Sequence, residues 1–362
     1  MTSVGYVSLG CPKALVDSEH IVTALADEDF SIVAEQDPAK VVVVNTCGFI
    51  NQAKAESYAA IEAALENDQE VVVTGCLGME KESLLKRFPS LKFVSGPGET
   101  VEVVNAVKRI TNQAKTSLSK DKFYGSEAGN RVLLTPNHYA YLKIAEGCNH
   151  KCTFCVIPAM RGPLASREIR DILAEAEALA KNGVKELMLI AQDLSAFGLD
   201  NHYGSNSERH LDKKEDVFYL SNELSSIVPW VRLHYVYPYP HVDKLVSLMA
   251  EKKILPYLDM PLQHGSPRVL GAMKRPASSE KTLERIQKWR TLLPDLSIRS
   301  NFIVGFPGET DEDVELLLEF LDEAMLDRVG CFTYSEVAGA KANEYPNHIP
   351  ESDKLDRQDL VY

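Results

Sequence analysis

The chain has 362 residues, 45% hydrophobic and 25% charged, with 52 acidic side chains against 39 basic ones and a net charge of -13. At about 100–200 residues per domain this composition suits a globular protein of two or three domains and excludes a disordered or collagen-like chain. Acidity spread along the sequence leaves no basic domain for a phosphate backbone, so no strong nucleic-acid binding is expected. The first five residues show no secretory leader, and no apolar run approaches the roughly 20 residues of a membrane span. The expectation is a soluble, cytoplasmic protein with no membrane association.

In chain order, β-branched runs at 4–9, 41–44, 71–73 and 93–94 predict short buried strands, and helical periodicity follows each at 18–26, 53–65, 80–87 and 101–110. Strands alternating with helices imply parallel pairing, hence an α/β fold opening with a doubly wound parallel sheet over residues 1–112. The polar stretch 113–137, rich in Ser, Lys, Asn and Gly, reads as a linker. A second series follows over 138–362, with strands predicted at 139–144, 186–191, 231–237, 257–260, 298–304 and 329–334. Helices are predicted between them at 169–181, 242–251, 280–292 and 311–325, and a polar insertion at 200–214 reads as a surface loop. Six such units predict a partial (β/α)6 TIM-like barrel rather than a full set of eight. The charged segment 351–362 follows the last strand.

Seven cysteines need an explanation, and an odd number in a cytosolic chain points away from disulfides and toward metal ligation or redox chemistry. Cys148, Cys152 and Cys155 lie within eight residues, directly after the first strand of the second series, where a parallel barrel builds its sites. Three thiolates hold three irons of a cuboidal cluster and leave the fourth open to a bidentate ligand, as reductive cleavage of S-adenosylmethionine requires. The alternative is a zinc knuckle with His150 as the fourth ligand. Cys11, Cys47 and Cys76 are far apart in sequence, yet each follows a predicted parallel strand and adjoins a glycine. They therefore meet on one rim of the sheet, as a second three-thiolate site. Cys331 sits in an apolar strand without partner spacing and reads as a core residue.

Taken together, these motifs are similar to those of the radical S-adenosylmethionine methylthiotransferases. Leu9-Gly10-Cys11-Pro12-Lys13 with Val16-Asp17-Ser18-Glu19 resembles the RimO branch, which acts on ribosomal protein S-twelve, rather than the tRNA branch. Residues 44–50, 139–161, 232–240, 259–276 and 303–310 agree with it. Ala14, where Asn is usual, and the run 334–339 depart from the pattern, and the small β-barrel TRAM domain that ends the family is expected to be absent from this chain.

The resemblance implies two [4Fe–4S] clusters, one on Cys148, Cys152 and Cys155 that binds and cleaves S-adenosyl-L-methionine, the other an auxiliary cluster on Cys11, Cys47 and Cys76. It implies a methylthio transfer to the β-carbon of an aspartate of S-twelve, with an external electron donor such as flavodoxin or ferredoxin. Phe154 either stacks on the adenine or packs on the first barrel turn. Gln192 and Asp193 either face the site or bond loop backbone. Arg299 either binds the S-adenosylmethionine carboxylate or forms a buried ion pair. Gly305, in Gly305-Phe306-Pro307-Gly308-Glu309-Thr310, resembles an adenine-contacting turn, although any strand–turn–helix connection there needs Gly and Pro. His264 faces substrate or caps the next helix, and Tyr235, Tyr237 and Tyr239 read as core. Two competing functions are a tRNA adenosine methylthiotransferase, which the acidic charge disfavours, and a non-enzymatic iron–sulfur carrier or redox scaffold.

Overall fold

The computed structural model describes residues 2–34, 37–113, 131–200, 216–275 and 279–362. Most of the linker (114–130) and of the insertion (201–215) expected from the sequence lies outside the described residues. The chain divides into two compact units. One is Met1–Tyr141 with Ala159–Arg161 and Glu177–Val184; the other is Leu142–Pro158, Gly162–Ala176 and Lys185–Tyr362.

The first unit runs β1 (Thr2–Ser8), α1 (Pro12–Asp27), β2 (Phe30–Val33), β3 (Val41–Thr46), α2 (Asn51–Glu66), β4 (Glu70–Gly75), α3 (Lys81–Arg87), β5 (Phe93–Val94) and α4 (Thr100–Ile110). Its sheet has the order β2-β1-β3-β4-β5, and every neighbouring pair is parallel. Val41, Val42, Val43 and Val44 are all fully buried, because a parallel strand covered by helices on both faces has no solvent side. Val42 and Val44 pack with Ile61 and Leu84, while Val41 and Val43 pack with Ile21, Leu25, Val103 and Val104. This is the doubly wound arrangement expected. Strand β2 was not expected: it is a four-residue edge strand of which only Phe30 is buried, too short for a periodic signal. The first helix also begins earlier than its apolar periodicity suggests, at Pro12, whose fixed φ and missing N–H suit a first helical position.

The second series runs β6 (Tyr139–Lys143), β7 (Ala145–Glu146), α5 (Ile157–Arg161), β8 (Ala165–Ser166), α6 (Ile169–Lys181), β9 (Glu186–Ile190), α7 (Val217–Leu224), β10 (Trp230–Leu233), α8 (Asp243–Ala250), β11 (Tyr257–Asp259), α9 (Pro267–Ala272), α10 (Ser279–Leu292), β12 (Ser297–Val304), α11 (Asp311–Ala324), β13 (Arg328–Thr333) and α12 (Glu351–Val361). Six strands form one sheet in the order β13-β12-β11-β10-β9-β6, parallel from β9 to β13, with helices between them. This is the α/β architecture of a six-unit partial barrel. Strand β10 stops at Leu233 instead of continuing to residue 237. Tyr235 takes a left-handed φ of 60°, which no extended ladder accommodates, and Pro238 has no N–H to give. Along β12 the burial alternates, so that Arg299, Asn301 and Ile303 share one face and Ile298, Ser300 and Phe302 the other.

Candidate active sites

In the first unit, register brings the cysteines to one level. Ser8 pairs with Asn45 and Thr46 with Gly75, so β1, β3 and β4 end together, and Cys11, Cys47 and Cys76 leave from that rim. Cys11 is the N-cap of α1, and the Asn45 amide donates to Ala14 O and to Ser18 Oγ at 2.8 Å each, fastening the start of α1 to β3. The Cys47 N–H donates to Ser57 Oγ at 3.0 Å, and that hydroxyl donates back to Cys47 O at 2.9 Å. The glycines beside the cysteines are where the loops meet. A Cβ on Gly10 would lie 3.6 Å from Cys47 Sγ, and one on Gly48 would lie 3.0 Å from the Cys76 carbonyl carbon. Close backbone approach is what those positions require.

Burial raises the Cys76 and Cys47 thiols above the ordinary range, and in both cases the Arg161 charge opposes it. The Arg161 guanidinium also hydrogen-bonds Cys76 and pairs with Asp17 at 3.3 Å. Sequence reasoning assigned no role to Arg161 or Asp17. Both fall in stretches similar to the family pattern, but nothing local joins positions so far apart in the chain.

In the second unit, Gly147 takes a φ of 73°, and a Cβ there would lie 1.9 Å from Pro163 O. This glycine lets the chain fold tightly into Cys148, whose N–H donates to Gly162 O at 3.1 Å. Backbone amides then turn toward sulfur: His150 N–H lies 3.5 Å from Cys148 Sγ, and Ile157 N–H lies 3.5 Å from Cys155 Sγ. Cys148 and Cys152 are buried, and burial pushes the Cys155 thiol up to about 12. A cavity of about 890 Å³ opens beside the loop, lined by Cys148, His150, Asp193, Tyr239 and His241 among others.

Several expected residues resolve into particular contacts. His150 directs its Nε2 to Asp193 Oδ2 at 2.7 Å and stacks on Tyr237, with centroids 4.4 Å apart and planes 3° from parallel. It is therefore engaged by a carboxylate and a ring, which the zinc-knuckle alternative did not foresee. Phe154 packs on Val269, Met273, Phe306, Tyr334 and Ala342. Gln192 donates to Glu146 Oε1 at 2.5 Å, while its own Oε1 is buried without a hydrogen-bond partner. Asp193 bonds loop backbone, accepting from Ser195 N–H at 3.0 Å. Arg299 pairs with Asp259 at 2.8 Å and remains 39% exposed along its side chain. Burial raises the Asp259 carboxyl, but bonds from His234 and the charge of Arg299 outweigh that and hold it below the usual range. Gly305 has a φ of 71° and gives its N–H to Glu309 Oε1 at 2.8 Å. His264 is fully enclosed, accepting from Ser266 N–H at 2.9 Å and facing Glu309 at 3.2 Å. That is a loop-fastening role.

Residues 142–321 match the Radical SAM superfamily, and residues 3–96 match an uncharacterized protein family, UPF0004. The ribosomal protein uS12 methylthiotransferase RimO of Psychrobacter arcticus is 53% identical over 99% of this chain and 69% of its own length. RimO of Marinobacter nauticus is 54% identical over 98% of the chain and 77% of its own length. The chain belongs to the RimO family. Among solved structures, the radical S-adenosylmethionine methyltransferase TsrM from Kitasatospora setae, with cobalamin and a [4Fe–4S] cluster bound, is similar at a TM-score of 0.64 and 16% identity, covering 92% of this chain and 75% of its own. The cobalamin-dependent radical enzyme OxsB is similar at a TM-score of 0.56 and 13% identity, covering 99% of this chain and 56% of its own. These structural likenesses establish a shared fold. RimO membership, in contrast, makes the chain a radical S-adenosylmethionine methylthiotransferase, an enzyme rather than a carrier. Among the described residues no helix is long and apolar enough to cross a membrane.

Proposed function

We propose that this chain adds a methylthio group to the β-carbon of an aspartate of ribosomal protein uS12, with Cys148, Cys152 and Cys155 holding one [4Fe–4S] cluster and Cys11, Cys47 and Cys76 a second. The observation that carries the reading is the presence of two cysteine trios, Cys11, Cys47 and Cys76 after the parallel strands β1, β3 and β4, and Cys148, Cys152 and Cys155 in the single loop after β7. Such thiolates are soft donors suited to iron–sulfur clusters. No group of three or more His, Cys, Asp or Glu among the described residues is arranged around a single metal ion, and a cuboidal cluster asks for another arrangement, with each thiolate on its own iron. The amides aimed at Cys148 and Cys155 sulfur favour the thiolate form such ligation needs.

Cys148, Cys152 and Cys155 would hold the cluster, which together with S-adenosyl-L-methionine would supply one-electron radical chemistry at an unactivated carbon. The protein's part is binding, orientation and exclusion of water. The orphaned acceptor of Gln192, just beyond the carboxyl end of β9, suits a donor group on S-adenosylmethionine, and Arg299, whose side chain is partly exposed, suits its carboxylate. Phe154 and Gly305 complete the cofactor-binding set in this reading. We assign residues 1–112 to the auxiliary-cluster domain and 138–362 to the radical domain, with 113–137 as linker. The electron donor is a flavodoxin- or ferredoxin-class protein, the enzyme works in the cytoplasm, and its charge of -13 favours a basic ribosomal protein over nucleic acid.

The test is anaerobic reconstitution followed by incubation with dithionite, S-adenosylmethionine and either uS12 or tRNA. About eight irons per chain, release of 5′-deoxyadenosine and a methylthio mass increment on uS12 are expected. An increment on tRNA alone overturns the substrate, and about four irons with no 5′-deoxyadenosine overturns the two-cluster reading.

A further inference from the structure

The cysteine loop of the second unit is fastened to the end of one helix. Thr153 donates its N–H to Met273 O at 3.1 Å and its hydroxyl to Ala272 O at 3.0 Å, where α9 ends. Immediately beyond, Lys274 takes a left-handed φ of 54°, and the Arg275 N–H closes back on Leu270 O at 2.9 Å. This turn aims the Arg275 side chain at the loop that the helix end supports. Its Nη1 donates to Cys152 Sγ at 3.5 Å and its Nη2 to Pro261 O at 2.6 Å, and the guanidinium carbon lies 4.1 Å from the centroid of the Tyr237 ring. Tyr237 is itself immobilised, by its stack on His150 and by a 3.1 Å bond from its N–H to Ser195 Oγ. Three simultaneous contacts, one of them with a ring face, suit a planar fork and not an ammonium.

We propose that Arg275 is a positioning residue that raises the reduction potential at the Cys148, Cys152 and Cys155 site by holding a positive charge and an N–H against the Cys152 sulfur. The proposal rests on the reading that these cysteines carry an iron–sulfur cluster. Reduction there adds one electron, taken from a low-potential one-electron donor, and one negative charge, with no bond made or broken. A fixed cation favours the more negative state, and a hydrogen bond to sulfur does the same. Cys152 is only 7% exposed, so water screens little of that charge. A guanidinium keeps its charge at every pH at which a protein is folded, so the cation is present in both oxidation states.

The experiment is a potentiometric titration of the reconstituted full chain, followed by electron paramagnetic resonance, with the triple variant C11A/C47A/C76A used to assign the two signals. In R275M the barrel signal is expected to fall in potential by at least a tenfold change in its reduction equilibrium, which is about 59 mV for one electron. R275K, which keeps charge but not the fork, is expected to fall by less, and the auxiliary signal is expected not to move in either. If R275M does not take up iron, the shift in R275K decides. A barrel potential like that of the wild type in an iron-loaded variant overturns this proposal alone. Failure of the wild type itself to take up iron on Cys148, Cys152 and Cys155 overturns the cluster reading, and this proposal with it.

Discussion

Arg161 and Asp17 stand 144 positions apart in the chain, yet Arg161 Nη2 and Asp17 Oδ2 are 3.3 Å apart, with side chains only 2% and 5% exposed. Removing one member of such a pair leaves the other charge buried without its counterpart, at a cost of about 3–5 kcal/mol. Asp17→Ala is therefore predicted to lower urea stability by that order. Because Arg161 also bonds Cys76, the variant is expected to lose iron from the N-terminal site first. An unchanged urea midpoint would show that the pair is not structural.

Thiol ionisation makes a prediction for iron-free protein. Burial holds Cys155 and Cys331 at about 12, far above the value of roughly 8.5 for an unfolded chain. Between those values the unfolded state has released protons that the folded state keeps, so folded stability declines as pH rises from about 8.5 toward 12. Removing iron with a chelator should steepen this decline, because Cys155 then returns to the thiol pool. Cys331, outside both trios, contributes equally with and without metal. Unfolding midpoints at neutral and alkaline pH, measured on apo and reconstituted protein, test both statements.

Gly48→Ala should disturb the auxiliary site through backbone contact. Its new Cβ would lie 2.8 Å from Leu77 N and 2.9 Å from Leu77 Cα, and backbone cannot rotate aside. A destabilisation of about 1–3 kcal/mol is expected, together with loss of roughly half the bound iron. Gly271→Ala is the control: it lies in α9 with open space around it, and replacement should be neutral or stabilising by about 0.4–1 kcal/mol.

Acid should loosen the barrel through Asp313. Burial pushes this carboxyl up, but bonds from Arg268, Ser266 and Thr310 prevail and hold it at about 2. Its stabilisation is complete above the unfolded value of about 4 and is lost as pH falls through about 2. Asp313→Ala breaks both the capping box at Thr310 and the bond from Ser266, and should cost about 0.5–2 kcal/mol for the cap at neutral pH. At pH 2 the difference from wild type should shrink. Urea denaturation at the two pH values checks this.

Much of the architecture was legible along the chain because it is local. The valine run 41–44 announces a strand buried on both faces, and helix 169–181 appears at its predicted bounds. The end of β10 was misread because the apolar and aromatic run continues past Leu233, while the stop comes from the backbone conformation at Tyr235. The cysteines could be grouped from sequence because parallel strands share a rim, a rule of topology that needs no coordinates.

What surrounds those cysteines was not accessible in this way. Arg275 lies 123 positions from Cys152 and Arg161 lies far from Asp17, and no periodicity links them. Their partners are chosen by where a helix ends and which way the next residue turns. By itself the sequence determined the fold class and the family, since both are written in short motifs and in the order of strands and helices. Only the tertiary structure decided which side chains stand against the sulfurs, because a hydrogen bond or buried charge depends on ångström-scale separation, and positions far apart in sequence come that close only once the core has packed.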